Sequence, residues 1–482
     1  MATESGTPQD NTSAFIADVR DIKNQQDEEE KKSASPTASI SDQSGGSGWE
    51  DAIHVARRSY KDPLRELHPS SAVIHAGYHS DLSERAIKPP VFKSSTFVFA
   101  TAEEGELFFK RAYGLKGNDG QPPGLVYSRL NNPNVEIIED KLVSLERGSN
   151  YCNAFPSGMS AISTTIMALV PTGGHIMYTN PVYGGTYFFL TTVCPDRLNV
   201  TSQGADTSNP DKLRRAIEEA PRLDVLYLEC PANPTLSITD IALATSLAKA
   251  KNPDCLIMVD NTFMGPVFQS PFLFGADIVL YSATKFIGGH SDLVAGLVLT
   301  KDKTLMSKIN TYRTILGPVI SPDTAWMLTR SVETVWLRME RQADKAQKVA
   351  SALAAHPRVS RLVFPGYYSS ETSSAARDVK TELWERQCSG TGSMISIVVR
   401  PNTRKAAFTV LNGMKIAHLA VSLGSTETLV EHPRSMTHSD MTEEDLDACC
   451  IEEGMLRISI GLESSKDIAR DLLSALDMIQ DE

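Results

Sequence analysis

The chain has 482 residues, of which 41% are hydrophobic, and a formal net charge of -12; it is long enough for a substantial core and more than one domain, and too acidic for general nucleic-acid affinity. It has no run of about 18 apolar residues and no basic-then-apolar leader, so the expectation is a cytoplasmic protein with no membrane partner. The seven cysteines are odd in number and lack CxxC spacing, which fits reduced thiols rather than a disulfide framework or a zinc site.

Residues 1–68 read as a disordered acidic tail. Residues 1–50 alone hold ten Asp or Glu against four Lys or Arg, including a Gly/Ser stretch at 44–48. Such a composition buries too little apolar surface to offset its ordering entropy. A solvated tail is the plainer reading, and a regulatory or partner-binding tail is the alternative.

From about residue 150 short apolar runs alternate with helical stretches, the pattern of an α/β fold. Strands are predicted at 175–179, 224–229, 255–260 and 277–281, with helices at 211–220 and 238–250 between them. The strands are apolar at consecutive positions, which suits a parallel sheet covered on both faces. From about residue 325 the pattern changes to one long helix over 323–355, a strand at 394–399, a helix near 403–412 and a final amphipathic helix near 466–480. That section reads as a smaller C-terminal α+β domain.

Ligands of an open parallel sheet sit beyond the carboxyl ends of its strands. Asn233, Asp260 and Lys285 each follow or end one of the predicted strands, so one crevice would hold an amide, a carboxylate and an amine. This set suits pyridoxal 5'-phosphate (PLP). The carboxylate keeps the pyridine nitrogen protonated, and the lysine forms an imine with the cofactor and moves protons. The plainer alternative is that Asp and Lys end strands where the chain meets water.

The neighbouring residues favour the cofactor. Ser157-Gly158-Met159-Ser160 opens the helical run 161–169, where N-terminal N–H groups would bind a phosphate and glycine permits close approach. Ser282 and Thr284 flank the lysine and offer hydroxyls to the same phosphate. Tyr183, in Asn180-Pro181-Val182-Tyr183-Gly184-Gly185-Thr186, would stack its ring on the cofactor.

The segment Ser282-Ala283-Thr284-Lys285-Phe286-Ile287-Gly288-Gly289-His290-Ser291-Asp292 resembles the lysine signature of the Cys/Met-metabolism PLP enzymes. That fold type I group includes cystathionine γ-lyase, cystathionine γ-synthase and methionine γ-lyase. The resemblance extends over roughly residues 70–482, through Tyr127-Ser128-Arg129-Leu130-Asn131-Asn132-Pro133-Asn134 and Arg457-Ile458-Ser459-Ile460-Gly461-Leu462-Glu463. It implies a PLP-binding α/β domain at 133–330, preceded by an arm at 69–132 that serves a neighbouring subunit and followed by an α+β domain at 331–482.

The resemblance also implies residue roles. Lys285 would be the Schiff-base lysine and proton shuttle, Asp260 the pyridinium partner, and Tyr183 the stacking ring and a base toward the incoming amino group. Gly158, Met159, Ser282 and Thr284 would bind phosphate, with Asn233 near the phenolic oxygen. Tyr127 and Arg129 would reach the phosphate of a neighbouring subunit, making the protein a homodimer or homotetramer with shared sites. Arg457, helped by Ser422, would grip the substrate α-carboxylate, for which a planar guanidinium is suited.

Within the family, cystathionine-handling members usually carry Glu immediately before the serine that here is Ser422. This chain has Val421, which suits the uncharged thioether of methionine. The expectation is therefore γ-elimination from L-methionine, giving 2-oxobutyrate, methanethiol and ammonia. Cystathionine γ-lyase, cystathionine γ-synthase and homoserine-ester sulfhydrylase activities are the alternatives, and an inactive regulatory homologue is the alternative of a different class. Two departures from bacterial methionine γ-lyases stand against the expectation: Gly185 occupies the place of a cysteine, and Arg313-Thr314 that of a Lys-Asp pair. The insertion 114–124 lies near the expected site entrance; a lengthened surface loop is the plainer reading and reshaped substrate access the alternative. His432 and His438 lack metal-ligand spacing, and Ser291-Asp292 beside His290 is no nucleophile elbow.

Overall fold

A computed structural model describes residues 64, 66–112, 124–365, 367–368 and 374–480. The acidic tail up to residue 63, and the insertion at 114–124 apart from its last residue, lie outside the described residues.

The first sheet has seven strands: β1 (Tyr151–Phe155), β2 (His175–Thr179), β3 (Thr201–Ala205), β4 (Val225–Glu229), β5 (Leu256–Asp260), β6 (Ile278–Ser282) and β7 (Gly296–Thr300). Their order is β1-β7-β6-β5-β4-β2-β3. Strands β3, β2, β4, β5 and β6 pair in parallel, while β7 runs antiparallel between β6 and β1. The sheet is thus mixed, not purely parallel. β2, β4 and β7 are buried along their whole length, because helices cover both faces and leave no polar side to alternate. The alternation of β3, buried only at its inner end, marks it as an edge.

The helices that flank the sheet carry explicit start and stop signals. Helix Pro133–Leu145 begins with Pro after the cap Asn132, whose side chain accepts from Asn134 N; Ser157 caps Gly158–Leu169, and Asp302 caps Lys303–Leu316. The last of these ends at Gly317, whose φ of +85° supplies the left-handed stop. The short helix Pro69–His75 packs on Pro133–Leu145 of its own chain, and Lys141 Nζ donates to the carbonyls of Val73 and Ile74 at 2.6 and 2.9 Å.

The single helix expected over 323–355 is two, Pro322–Val332 and Val335–Ala354. No Gly or Pro marks the break. The Ser331 carbonyl instead accepts from Thr334 N at 3.2 Å, Thr334 Oγ1 at 3.2 Å and Arg338 Nη2 at 3.0 Å, so the helical ladder is diverted there.

The second sheet contains β8 (Val359–Phe364), β9 (Tyr367–Tyr368), β10 (Met394–Val399), β11 (His418–Leu419), β12 (Leu429–Glu431) and β13 (Met455–Ser459), in the order β11-β12-β13-β10-β8-β9. Its apolar face shares a core with helices Val335–Ala354, Arg404–Gly413 and Ser465–Leu476. β12 and β13 are antiparallel and set Glu431 directly opposite Arg457. Two sheets and their helices make the α/β fold with a smaller second layer that the sequence indicates.

Candidate active site

Because β4, β5 and β6 are parallel, Glu229, Asp260 and Ser282 all end at the same sheet edge, and register pairs Glu229 with Asp260. Beyond that edge lies a cavity of about 240 Å³. Its walls include Gly158, Met159, Tyr183, Asn233, Asp260, Ser282, Thr284, Lys285, Val421 and Arg457. Ten residues singled out from sequence therefore meet in one place. Ser422 touches the site through its hydroxyl, 2.9 Å from Lys285 Nζ.

Lys285 sits on the turn after β6, and that turn is held from behind. The buried Arg338 donates Nη1 to Phe286 O at 2.7 Å and Nη2 to Ile287 O at 3.1 Å. Its guanidinium fills the space a side chain at Gly289 would need, since a Cβ there would lie 1.8 Å from Arg338 Nη1. From the other side Gly424 packs against the lysine backbone; a Cβ there would approach Phe286 N at 2.6 Å. Burial, with Arg457 nearby, lowers the Lys285 pKa to about 8, while Glu431 pulls it back up.

Asp260 is buried beneath the cavity. Its Oδ1 accepts from Thr262 N at 3.0 Å and Thr262 Oγ1 at 2.6 Å, and its Oδ2 from Tyr227 OH at 3.3 Å. Burial raises the carboxyl, and these donors oppose the rise. A buried carboxylate of this kind is suited to a cationic ring nitrogen.

Glu229, absent from the sequence reading, is the second buried carboxylate. Its Oε2 accepts from Tyr183 N at 3.0 Å and its Oε1 from Asn233 N at 2.7 Å, so it fixes the backbone of both residues. Burial and then the neighbouring Asp260 push its pKa up to about 8. Its signal was available: like Asp260, it is a carboxylate closing a wholly apolar run.

One wall of the cavity is a helix N-terminus, the side expected to receive a phosphate. Ser160 N donates to Ser157 Oγ at 3.0 Å, and the first N–H groups of a helix have no intrahelical acceptor. A Cβ at Gly158 would come within 3.0 Å of Ser282 Cβ, so glycine keeps this cradle open. Thr284 fits the phosphate role less well than expected: its hydroxyl donates to Ala295 O at 3.2 Å and accepts from Ala295 N at 3.0 Å. It braces the lysine turn against the segment leading into β7.

Tyr183 is partly exposed over the cavity, its phenol pKa raised by burial and then by Glu229 and Glu431. Gly185 lies against it, and a Cβ there would meet Tyr183 Cε1 at 2.7 Å and Met159 Sδ at 3.2 Å. Any larger residue at 185 has to move that ring.

Arg457 is fully buried on β13. Its Nη1 pairs with Glu431 Oε1 at 2.7 Å and donates to Asn233 Oδ1 at 2.9 Å, and its Nη2 donates to Ser422 O at 3.0 Å. Glu431, also missed from sequence, is fully buried. His438 is buried beside this group, and burial with Arg457 lowers its pKa to about 4.

Tyr127 and Arg129 do not line this cavity. Arg129 lies over the Tyr127 ring at 5.6 Å and donates Nη1 to Thr314 O at 2.8 Å. Arg313 is buried in an ion pair with Glu139 at 2.6 Å, away from the cavity. Six cysteines are buried and Cys450 is exposed, all free, and among the described residues no three His, Cys, Asp or Glu side chains gather as metal ligands. No helix among the described residues is long and apolar enough to cross a membrane.

The cavity thus gathers an amine, carboxylates, a helix N-terminus and a guanidinium, a set of groups suited to a phosphorylated aldehyde cofactor and an amino acid. The chain belongs to the Cys/Met metabolism PLP-dependent enzyme family, whose model matches residues 70–477. It is 37% identical over 417 residues to the L-methionine gamma-lyase of Treponema denticola, covering 86% of this chain and 98% of that one. It is 38% identical over 408 residues to the cystathionine gamma-lyase of Bacillus subtilis, covering 84% and 98%. The fold matches a cystathionine gamma synthase from Xanthomonas oryzae pv. oryzae with a TM-score of 0.75 and 32% identity, covering 86% and 98%. The cofactor is PLP, and when bound it supplies the electron sink that acidifies the substrate's α- and β-hydrogens.

Proposed function

We propose that this enzyme carries out γ-elimination on L-methionine, releasing 2-oxobutyrate, methanethiol and ammonia. The observation that carries the reading is Val421 at the cavity wall. With Leu423, Val294, Ile162, Phe263 and Met159 it forms an apolar lining, and the two carboxylates of the wall, Glu229 and Asp260, already accept hydrogen bonds from this chain. An uncharged methylthio group is at home against such a surface, whereas the distal ammonium of cystathionine would lose hydration without gaining a counter-ion.

In this reading Lys285, with its lowered pKa, is unprotonated often enough near neutral pH to take and return protons, and Ser422 Oγ steadies its amine. Asp260 holds the cationic ring nitrogen, Gly158, Met159 and Ser282 receive the phosphate, Asn233 lies at the phenolic oxygen and Tyr183 stacks over the ring. Arg457 holds the α-carboxylate. Tyr127 and Arg129 serve the phosphate site of a second copy, so the working form is a homodimer or homotetramer.

A second reading, cleavage or formation of cystathionine or sulfhydrylation of a homoserine ester, is favoured by Gly185, which leaves no thiol beside Tyr183. Replacing Val421 with Glu separates the two. The proposal expects kcat/KM for L-methionine to fall and that for L-cystathionine to rise in Val421→Glu; no change in their ratio would remove Val421 as the determinant.

A further inference from the structure

Arg457 and Glu431 are cross-strand partners, both fully buried, and their pairing is already closed at one end of the guanidinium. Nη1 is occupied by Glu431 and Asn233, and Nη2 by the Ser422 carbonyl. Among the described residues two polar atoms of the pair have no hydrogen-bond partner: Arg457 Nε and Glu431 Oε2. Glu431 is itself fixed, since Thr437 Oγ1 donates to its Oε1 at 2.9 Å. Arg457 lines the cavity and Glu431 does not, so an incoming carboxylate meets the guanidinium with a second carboxylate behind it.

We propose that Glu431 sets the strength of the carboxylate grip, acting as a built-in competitor for the Arg457 charge that keeps the substrate subsite from binding carboxylates too tightly. This rests on the reading that Arg457 holds the substrate α-carboxylate. The physical case is direct. A buried guanidinium with no counter-ion is costly, so Glu431 stabilises the ligand-free site. The same negative charge, one guanidinium away from the bound carboxylate, repels it in a medium where charges a few ångströms apart are poorly screened. The outcome is a site that orients the substrate through hydrogen bonds while giving back part of the ground-state attraction, which lets product leave. Glu431 is therefore a positioning residue: it acts through Arg457 and reaches the substrate only by its field.

The test uses the PLP-loaded enzyme and two probes without an amino group, which bind and do not react: 4-(methylthio)butanoate and its amide, titrated by calorimetry. The wild type binds the acid more tightly than the amide if Arg457 holds a carboxylate, and Arg457→Gln abolishes that preference; equal affinity of acid and amide in the wild type would overturn the Arg457 reading itself. Glu431→Gln keeps the shape and the acceptor for Thr437 while removing the charge. The proposal predicts that it strengthens acid binding by roughly tenfold and leaves the amide unchanged. Glu431→Leu, uncharged and of similar bulk, serves as the second variant and moves the preference in the same direction. If the wild type prefers the acid and neither variant raises that preference, Glu431 is only a structural tether and the proposal falls.

Discussion

Lys285 Nζ and Ser422 Oγ stand 2.9 Å apart, and this one hydrogen bond joins the strand-end turn of the large sheet to the loop that precedes β12 of the small one. It brings the amine within the field of Arg457 and Glu431, which act on its pKa in opposite directions after burial has lowered it.

With a pKa of about 8, the Lys285 amine of the cofactor-free protein is about half uncharged at pH 8, where an ordinary lysine is almost wholly protonated. Competitive acylation followed by peptide mapping should give a labelling midpoint near pH 8 for Lys285, well below that of exposed lysines. Borohydride reduction followed by denaturing dialysis should leave PLP covalently attached to the Lys285 peptide of the wild type, and Lys285→Ala should carry no cofactor on that peptide.

A Cβ at Gly158 would come within 3.0 Å of Ser282, closing the cradle proposed for the phosphate. Gly158→Val should weaken PLP binding by about tenfold or more, the scale of a lost phosphate contact of 1.4 kcal/mol, and should change pyridoxal binding far less. Absorbance titration with both compounds reads the difference.

Glu146 is fully buried beside the Tyr281 hydroxyl, and desolvation pushes its pKa up to about 8. The folded state therefore keeps a proton that the unfolded state loses above about pH 4.5. Stability from this group is fully present below that pH and is lost as pH rises toward 8. Glu146→Gln removes the dependence, so its stability relative to the wild type should increase between pH 5 and pH 8 by about a few kcal/mol. Denaturant melts at the two pH values check the sign.

Arg129 lies away from its own cavity, against Tyr127 and the Thr314 carbonyl. If it serves a second copy, Arg129→Ala retains PLP poorly, and so it should in dialysis. Subunits of Arg129→Ala mixed with Lys285→Ala, neither competent alone, should regain activity, since the Arg129→Ala chain keeps Lys285 and receives Arg129 from its partner. Absence of recovery after verified subunit exchange would place Arg129 in its own site.

The strands that carry the site were legible because full burial leaves a continuous apolar run, and β2 and β10 fall at the predicted bounds. β1 and β7 were not predicted although β7 is as buried as those two; their antiparallel pairing, with each other and of β7 with β6, joins segments that no local pattern links. The break at 333–334 was hidden because no Gly or Pro marks it: Thr334 and Arg338 capture the Ser331 carbonyl, and Arg338 is itself held by the distant Phe286 and Ile287 carbonyls. Lys285, Asp260 and Gly158 could be read from strand ends and a helix start. Glu431 and Arg338 could not, since each acts through a partner more than 25 residues away in sequence. Thr284 shows the converse: its position beside the lysine pointed to phosphate, while its hydroxyl bonds Ala295.

The central claim is tested most directly by incubating the PLP-loaded enzyme with L-methionine alone, and in parallel with L-cystathionine, and following 2-oxobutyrate and methanethiol. The account predicts rapid release of both products from methionine. Turnover of cystathionine alone, or only of an activated homoserine ester supplied with a thiol, would contradict it.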